Sequence, residues 1–254
     1  MSEARKDTAP TGEDRASTQV RQREIASWFD KTYSMRGLSY LRPSRAYEVF
    51  SQMLGLSPGD SLLDIACGPG LFLEQAQRCG VQVSGVDISP VAIGLARKRV
   101  AGAGLAIGAA DRLPYIDGTF DFVTCFGSLE RFLSARCALD EMNRVLHDDG
   151  RVLIMVRNSL TPGWQAISKL GLGNQAGHQG AGSLDHWQQL LEASGFTVLE
   201  VHPDQWPLMR WQRLKFWLGA DADFASIRRG YLPITCANEL IFLCRKTEQP
   251  IERV

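Results

Sequence analysis

The chain has 254 residues, 44% of them apolar, which is enough to bury one sizeable core in a single domain. Its 28 basic and 28 acidic side chains balance, so it lacks the basic field that a nucleic-acid partner requires. No apolar run approaches the ~20 residues of a membrane span, no signal-peptide core opens the chain, and the six cysteines lack metal-ligand spacing. We therefore expect a reduced, cytoplasmic protein that holds no metal ion.

The predicted elements alternate between strands and helices over most of the chain. Residues 1–18 mix charges with Ser, Thr, Gly and Pro, which predicts a disordered tail. Up to residue 156, the chain is predicted as helix at 21–32, 43–55, 71–79, 90–100 and 134–146, and as strand at 61–66, 82–87, 105–108, 120–125 and 150–156. Ser89 is expected to cap the helix that Pro90 begins. Such alternation with short connections is typical of a parallel sheet covered by helices on both faces.

The remaining residues predict a long loop and then a mixed segment. The loop covers 157–182 and is followed by a helix at 183–193, strands at 196–202 and 238–245, and a Trp-rich helix at 205–219. On that last helix Leu208, Trp211, Leu214 and Leu218 form an apolar stripe beside basic residues. The stripe can pack as a cover on the sheet, or it can contact an anionic membrane surface or a lipid-like substrate.

One stretch predicts a ligand site. Residues 61–70, Ser-Leu-Leu-Asp-Ile-Ala-Cys-Gly-Pro-Gly, form a short apolar strand that runs into a glycine turn, and a helix follows at once. Glycines in such a turn let a ligand approach the backbone closely. The next strand ends in Asp87, which is where an acidic side chain can bind the hydroxyl pair of a ribose. The pattern therefore predicts a nucleoside-bearing cofactor.

The turn disfavours a dinucleotide and resembles another cofactor site. Leu73 stands where a third glycine would be needed, and Pro69 removes a backbone N–H that a pyrophosphate would use. Asp64 would repel pyrophosphate, but it suits a ligand with an amino group and a sulfonium. These residues resemble the first motif of the class I S-adenosylmethionine-dependent methyltransferases, an acidic residue followed by x-Gly-x-Gly-x-Gly. Ala66 departs from it at the first glycine, and we expect a slightly tighter pocket.

Three further segments resemble the same family in order and spacing. Residues 108–115 are similar to its third contact region, where an acidic residue, here Asp111, meets the adenine amino group. Residues 117–123 match its Asp-Gly-x-Phe-Asp-x-Val pattern, and residues 139–156 resemble its next helix and fifth strand. The resemblance covers about 46–156 and, more loosely, 183–245.

The resemblance implies the architecture. We expect an α/β fold with a doubly wound, mostly parallel seven-stranded sheet, closed by an antiparallel hairpin of the last two strands. One domain would span 19–254, with an N-terminal helical lid at 19–45 and a cofactor-binding core at 46–157. An insertion after strand five would occupy 158–182, and a C-terminal part 183–246.

The resemblance also implies which residues bind S-adenosylmethionine. Arg42 in the lid could pair with the cofactor carboxylate, since a guanidinium matches that geometry. The full set expected to bind the cofactor is Tyr33, Arg42, Asp64, Ala66, Cys67, Gly68, Gly70, Asp87, Ile88, Asp111, Arg112 and Phe126.

The acceptor side of the site is less defined. A hydroxyl acceptor needs a base, and His178 in the glycine-rich end of the insertion is the candidate, with His186 behind it. Either histidine could equally be a surface or capping residue. Glu130 and Arg131 follow the fourth strand, and they either edge the substrate pocket or form an ion pair at the start of a helix.

These observations favour an enzyme that transfers methyl groups from S-adenosylmethionine to a small-molecule acceptor, at oxygen, with an apolar or lipid-like acceptor as one option. The alternative is a cofactor-binding protein without turnover that acts as a partner or regulator, since a fold does not fix a function. A nicotinamide dehydrogenase is a second alternative, which Pro69 and Leu73 disfavour.

Overall fold

A computed structural model describes residues 12–38, 41–42, 44–170, 180–204 and 233–247 of the chain. Seven strands form one sheet in the order β3-β2-β1-β4-β5-β7-β6, and only β7 runs antiparallel to its neighbours. The strands are β1 Ser61–Ile65, β2 Gln82–Asp87, β3 Gly104–Ile107, β4 Phe120–Phe126, β5 Leu146–Arg157, β6 Phe196–Pro203 and β7 Glu239–Lys246. The predicted doubly wound, mostly parallel fold is confirmed, as is the closing antiparallel hairpin.

Helices cover both faces of the sheet. They are α1 Gly12–Arg36, α2 Glu48–Leu54, α3 Leu71–Arg78, α4 Pro90–Arg99, α5 Ala135–Val145, α6 Pro162–Lys169 and α7 Leu184–Ala193, with short 3-10 turns at Ser44–Tyr47, Leu129–Arg131 and Ile234–Cys236. Ser89 caps α4 by accepting a hydrogen bond from the Ala92 N–H at 3.0 Å, as predicted, and Pro90 follows at the first helical position. Each strand-to-helix connection is short, so the carboxyl ends of β1, β2 and β4 open on the same edge.

The core forms because successive strand residues point to opposite faces of the sheet. On β1, Leu63 and Ile65 pack with α5 and α7, whereas Leu62 packs with α2, α3 and α4. On β5, Ile154 and Leu153 divide in the same way. Two apolar layers therefore sandwich a buried sheet, which fixes the positions of the loops at its carboxyl edge.

The N-terminal region differs from the prediction. Helix α1 begins at Gly12, inside the segment predicted to be a disordered tail, and it continues past Thr32 to Arg36. The first turns are polar, so composition alone indicates disorder there. Once Ile25 and Phe29 pack on the domain, the helix can extend toward its start at the low cost of helix propagation. The predicted helix at 43–55 is divided into the 3-10 turn and α2.

The insertion after β5 leaves and returns at one place. Asn158 and Gly182 form a parallel bridge, and the Ser159 N–H donates to the Gly182 carbonyl at 3.0 Å. The segment contains helix α6, which the sequence did not predict. Residue His178 and the predicted Trp-rich helix at 205–219 lie outside the described residues. Among the helices that are described, none combines the length and apolar content needed to cross a bilayer.

Candidate cofactor and acceptor site

The glycine turn joins β1 to α3 through three residues in the left-handed region. Ala66, Gly68 and Gly70 have φ values of 56°, 53° and 76°. A Cβ at Gly68 would lie 2.9 Å from the Tyr33 hydroxyl oxygen, so position 68 requires a residue without a side chain. A Cβ at Gly70 would instead lie 3.2 Å from the Ala96 Cβ. Gly70, predicted to contact the cofactor, therefore serves the close packing of α3 on α4.

Asp87 stands at the tip of β2 and holds the turn. Its two carboxylate oxygens accept hydrogen bonds from the backbone N–H groups of Gly68 and Ser89, both at 2.8 Å. Burial raises the pKa of Asp87 to about 6, although these two N–H donors favour the charged form. The side chain also lines a cavity, so it is placed to receive a hydroxyl group there.

The first cavity, of about 720 Å³, lies at the ends of β1 and β2 under α1. Its described lining includes five residues that were expected to bind the cofactor, namely Tyr33, Ala66, Asp87, Ile88 and Asp111, of which Asp87 and Asp111 were assigned to the ribose and the base. The wall of the cavity beside Asp111 is formed by the small residues Gly108, Ala109 and Ala110, which have no polar side chain. An acidic residue at each end of a small-residue wall suits a ligand with hydroxyl and amino donors.

The second cavity, of about 1110 Å³, adjoins the first. Both are lined by Ala66, Ser128 and Arg131 together with Phe29 and Tyr33 of α1. The second cavity is also lined by Asp64, Cys67, Gly68 and Phe126, which were expected to bind the cofactor, and by Arg42, Met155 and Glu239. The two cavities together form one continuous site along the carboxyl edge of the sheet.

Asp64 is buried on β1 beside the second cavity. Thr124 on β4 is its register partner and donates a hydrogen bond to its carboxylate at 2.7 Å. The pKa of Asp64 is raised to about 7, because burial and the charge of Asp87 raise it more than the hydrogen bond from Thr124 lowers it. A cationic ligand in this cavity would favour the ionised form of Asp64.

Arg42 lines the second cavity but is held by acidic residues. Its guanidinium contacts the Asp204 carboxylate at 2.7 and 3.4 Å and lies 3.7 Å from a Glu239 oxygen. Burial lowers the pKa of Arg42, but the charges of Asp204, Tyr47 and Glu239 and the hydrogen bond to Asp204 together outweigh burial and raise the pKa. The predicted pairing of Arg42 with the cofactor carboxylate is not supported by this geometry, because Asp204 already provides that contact.

Helix α1 closes over the first cavity as a lid. The Gln22 side-chain amide donates to both Asp111 oxygens, at 3.1 and 3.3 Å. Asp30 accepts from the Ser89 hydroxyl and, at 3.3 Å, from the Val91 N–H at the start of α4. A carboxylate at a helix N-terminus is stabilised by the helix dipole. The lid is therefore fixed at two points, one on the site and one beside it.

Two other predicted residues lie away from the cavities. Arg112 is exposed and lines neither cavity, so the prediction that it binds the cofactor has no support in the geometry. His186 is exposed on α7, where its backbone N–H donates to the Ser183 hydroxyl that caps the helix. It therefore behaves as a surface residue, and its ring packs against Trp187 at 5.0 Å between centroids.

Glu130 and Arg131 combine both of the roles considered for them. Arg131 lines the two cavities and lies over the Phe29 ring at 5.8 Å. Its Nε is 3.9 Å from a Glu130 oxygen, and neither carboxylate oxygen of Glu130 has a hydrogen-bond partner among the described residues. Burial raises the pKa of Glu130, which the charge of Arg131 opposes. Arg131 thus belongs to the site, with Glu130 buried behind it.

Gln22, Phe29 and Glu239 are among the cavity-lining residues that the sequence analysis did not predict. They follow no family motif. A signal existed for the first two, because residues 22, 25, 29 and 33 recur at helical spacing on one face of α1. Glu239 had no such signal, since one acidic residue at the start of a strand is ordinarily solvated.

Comparisons with known proteins agree with this arrangement. The profile of the methyltransferase domain family matches residues 63–154. Demethylmenaquinone methyltransferase of Beutenbergia cavernae is 34% identical over 147 residues, which cover 58% of this chain and 60% of that protein. Demethylmenaquinone methyltransferase of Corynebacterium urealyticum is 32% identical over 165 residues, which cover 61% of this chain and 69% of that protein. Mitochondrial ubiquinone biosynthesis O-methyltransferase of Schizosaccharomyces pombe is 34% identical over 140 residues, covering 50% of each chain.

This chain spans 60% of the length of the Beutenbergia cavernae relative and 50% of the length of the Schizosaccharomyces pombe relative. Among solved structures, an S-adenosylmethionine-dependent methyltransferase of Thermotoga maritima has a TM-score of 0.62 at 19% identity, covering 88% of this chain and 99% of that one. That likeness concerns the fold. The family profile and the bare turn beside Asp87 identify S-adenosylmethionine as the cofactor of the site. The chain belongs to the class I S-adenosylmethionine-dependent methyltransferases, in the group that contains the quinone-biosynthesis enzymes.

Proposed function

We propose that this protein transfers the methyl group of S-adenosylmethionine to a hydroxyl oxygen of an apolar, quinol-like small molecule. The observation that supports this most is the pair of adjoining cavities. One has acidic residues at the positions expected for ribose and adenine, and the other adjoins it at Ala66 and Tyr33. A cofactor and an acceptor could therefore meet at this junction.

The nature of the second cavity favours an aromatic acceptor. Phe126 and Phe72 meet edge to face, with ring centroids 5.0 Å apart, and Tyr47 lies 6.1 Å from each ring. All three line the cavity. Aromatic rings of this kind stack on a planar acceptor and exclude water. The names of the matched relatives, two demethylmenaquinone methyltransferases and a ubiquinone biosynthesis O-methyltransferase, point to the same acceptor class.

The residues of the site divide the work by chemistry. When bound, the cofactor supplies a methyl group that its sulfonium has already activated. Asp87 would hold the ribose hydroxyls, and Asp111 would hold the adenine amino group, each through charge-assisted hydrogen bonds. Asp64 would offset the positive charge of the methionine end. Alignment and desolvation are then the main contributions of the protein to the rate.

The first experiment is a calorimetric titration of the purified protein with S-adenosylmethionine, S-adenosylhomocysteine and NADH. We expect micromolar affinity for the two adenosyl ligands and none for NADH. Transfer of a radiolabelled methyl group is then measured with a short-chain demethylmenaquinone reduced to its quinol, and with alkyl catechols. Absence of adenosyl binding in a folded sample would overturn the proposal.

A variant tests the assignment of the ribose site. Asp87→Ala should weaken S-adenosylhomocysteine binding by about 1–3 kcal/mol, because charge-assisted hydrogen bonds are lost. Asp140→Ala is the matched control, since Asp140 is exposed on α5 and pairs with Arg136 away from the cavities. An unchanged affinity in Asp87→Ala would refute the ribose assignment.

A second candidate function is a cofactor-binding partner protein without turnover. It is favoured by the two contacts that already engage the site, Gln22 with Asp111 and Arg42 with Asp204. Binding of both adenosyl ligands with no methyl transfer to any quinol or catechol would support it. Turnover of even one such acceptor, lost in Asp87→Ala, would exclude it.

A further inference from the structure

Glu239 is a half-buried carboxylate on the acceptor side of the site. It is the first residue of β7, and because β7 is antiparallel, its start lies at the same edge as the ends of β1, β4 and β5. The sheet order places β7 three strands from β1, which is about 14 Å at the usual strand spacing. Glu239 and Asp64 line the same cavity from these two strands. The two carboxylates therefore line this cavity from strands that are three positions apart in the sheet.

The carboxylate of Glu239 forms a long ion pair with Arg42 rather than a hydrogen bond. Arg42 is neutralised chiefly by Asp204, whose oxygen is 2.7 Å away, whereas the Glu239 oxygen lies at 3.7 Å, beyond hydrogen-bond distance. The other Glu239 oxygen would be 3.8 Å from a Cβ at Gly127, which leaves it beside bare backbone. Within the described part of the chain, this carboxylate accepts no hydrogen bond.

The surroundings of Glu239 favour proton uptake near neutral pH. The pKa of Glu239 is raised to about 7, because burial and the charge of Asp204 raise it more than the charge of Arg42 lowers it. The titratable and charged groups that act on it are Arg42, Tyr47, Glu130, Arg131, Arg157 and Asp204. A base with a pKa near the working pH is the most effective proton acceptor.

We propose that Glu239 is the base that accepts the proton of the acceptor hydroxyl during methyl transfer, an inference that rests on the function proposed above. The O–H bond of the acceptor breaks, and its proton goes to a Glu239 carboxylate oxygen. The acceptor oxygen bonds to the methyl carbon while the C–S bond breaks. The electron pair of that bond stays on sulfur, which leaves S-adenosylhomocysteine and a protonated Glu239.

The test compares Glu239→Gln with Glu200→Gln. Glu200 is on the neighbouring strand β6, half-exposed and paired with His202, so it is a matched control away from the cavity. Each variant and the wild type are assayed with reduced short-chain demethylmenaquinone from pH 5.5 to 9. We expect Glu239→Gln to lower kcat by roughly 10²–10⁴-fold and to remove the acidic limb of the pH profile. S-adenosylhomocysteine affinity should be unchanged.

A further prediction separates a base from a merely structural residue. The deficit of Glu239→Gln should shrink for a catechol acidified by a nitro group, because that acceptor is already ionised at neutral pH. A fully structural role would lower the rates of both acceptors equally. Independently of turnover, ¹³C NMR of the glutamate-labelled protein with S-adenosylhomocysteine should show a carboxyl that titrates near pH 7 and is missing in Glu239→Gln.

The outcomes are distinguishable. If Glu239→Gln keeps the wild-type kcat and pH profile, or if no glutamate titrates near pH 7, the base assignment is overturned while the proposed function stands. If the wild type itself methylates no quinol or catechol, both fall together. Should Glu239→Gln fail to fold, Glu239→Asp keeps the acid, and we expect it to retain the acidic limb with a reduced kcat. A Glu239→Gln variant that loses the acidic limb of the pH profile but keeps the wild-type kcat would contradict the proposal.

Discussion

The side-chain amide of Gln22 spans both carboxylate oxygens of Asp111, at 3.1 and 3.3 Å. Both residues line the first cavity, one from helix α1 and the other from the loop after β3. The amide N–H₂ is chemically similar to the amino group of adenine, which is expected to donate to the same carboxylate. We therefore expect the lid to compete with the cofactor for Asp111.

Removing this competitor should tighten cofactor binding. We expect Gln22→Leu, which is of similar size but cannot donate, to increase the affinity for S-adenosylhomocysteine about threefold to tenfold. The gain corresponds to the ~1 kcal/mol of a hydrogen bond that no longer has to be broken. Calorimetric titration measures it directly. Gln188→Leu is the control, since Gln188 donates to Glu192 on the surface of α7, away from the cavities. Weaker binding in Gln22→Leu would mean that Gln22 contacts the cofactor itself.

The parts of the site that were predictable from sequence are those encoded by neighbouring residues. The turn from β1 to α3 and the acidic tip of β2 depend on a short apolar strand, glycines and one Asp at fixed spacing. The hydrogen bond from Gly68 to Asp87 then follows from the pairing of β1 with β2. Such signals are local, so one sequence suffices to read them.

The parts that were not predictable depend on distant residues. Arg42 and Asp204 are 162 positions apart, and only the closed sheet brings them together. Sequence alone therefore pairs the Arg42 guanidinium with the cofactor carboxylate, whereas in the structure the buried Asp204 carboxylate contacts it at 2.7 Å. The polar start of α1 was misjudged for a similar reason, since packing of later residues rather than composition supports that helix.

Ala66 occupies a conformation that favours glycine. Its φ of 56° costs an L-residue about 1–2 kcal/mol, because the Cβ approaches the following carbonyl oxygen. Ala66→Gly relieves this strain, and the greater freedom of glycine in the unfolded chain takes back part of the gain. We expect a net stabilisation of up to ~1 kcal/mol, measured as a higher urea midpoint at unchanged m.

An alanine in ordinary helix provides the comparison. Ala166 is exposed in α6, and Ala166→Gly should lower the free energy of unfolding by about 1 kcal/mol. Both substitutions replace alanine with glycine, but they should change the free energy of unfolding in opposite directions. If Ala66→Gly were as destabilising as Ala166→Gly, the strain at Ala66 would be refuted.

Asp64 should make the protein less stable as the pH rises. Its pKa in the folded chain is raised to about 7 by burial, whereas the unfolded value is the ordinary 3.8. The folded state therefore binds more protons between these two values, and the free energy of unfolding falls as the pH increases through that interval. Each unit of difference is worth about 1.4 kcal/mol, so the loss is on the order of a few kcal/mol.

Asp64→Asn cannot titrate, and it should therefore gain stability relative to the wild type between pH 5 and pH 8. Comparing the two pH values cancels any constant cost of the substitution itself. Asp121→Asn is the control. Burial would raise the pKa of Asp121, but hydrogen bonds from Ser61 lower it overall, so it is ionised in both states above pH 5. Its effect should be the same at both pH values, measured by urea unfolding. A wild type whose stability rises from pH 5 to pH 8 as steeply as that of Asp64→Asn would exclude a buried, protonated Asp64.

Because a cationic ligand favours the ionised carboxylate, the same substitution should weaken S-adenosylmethionine binding more than S-adenosylhomocysteine binding.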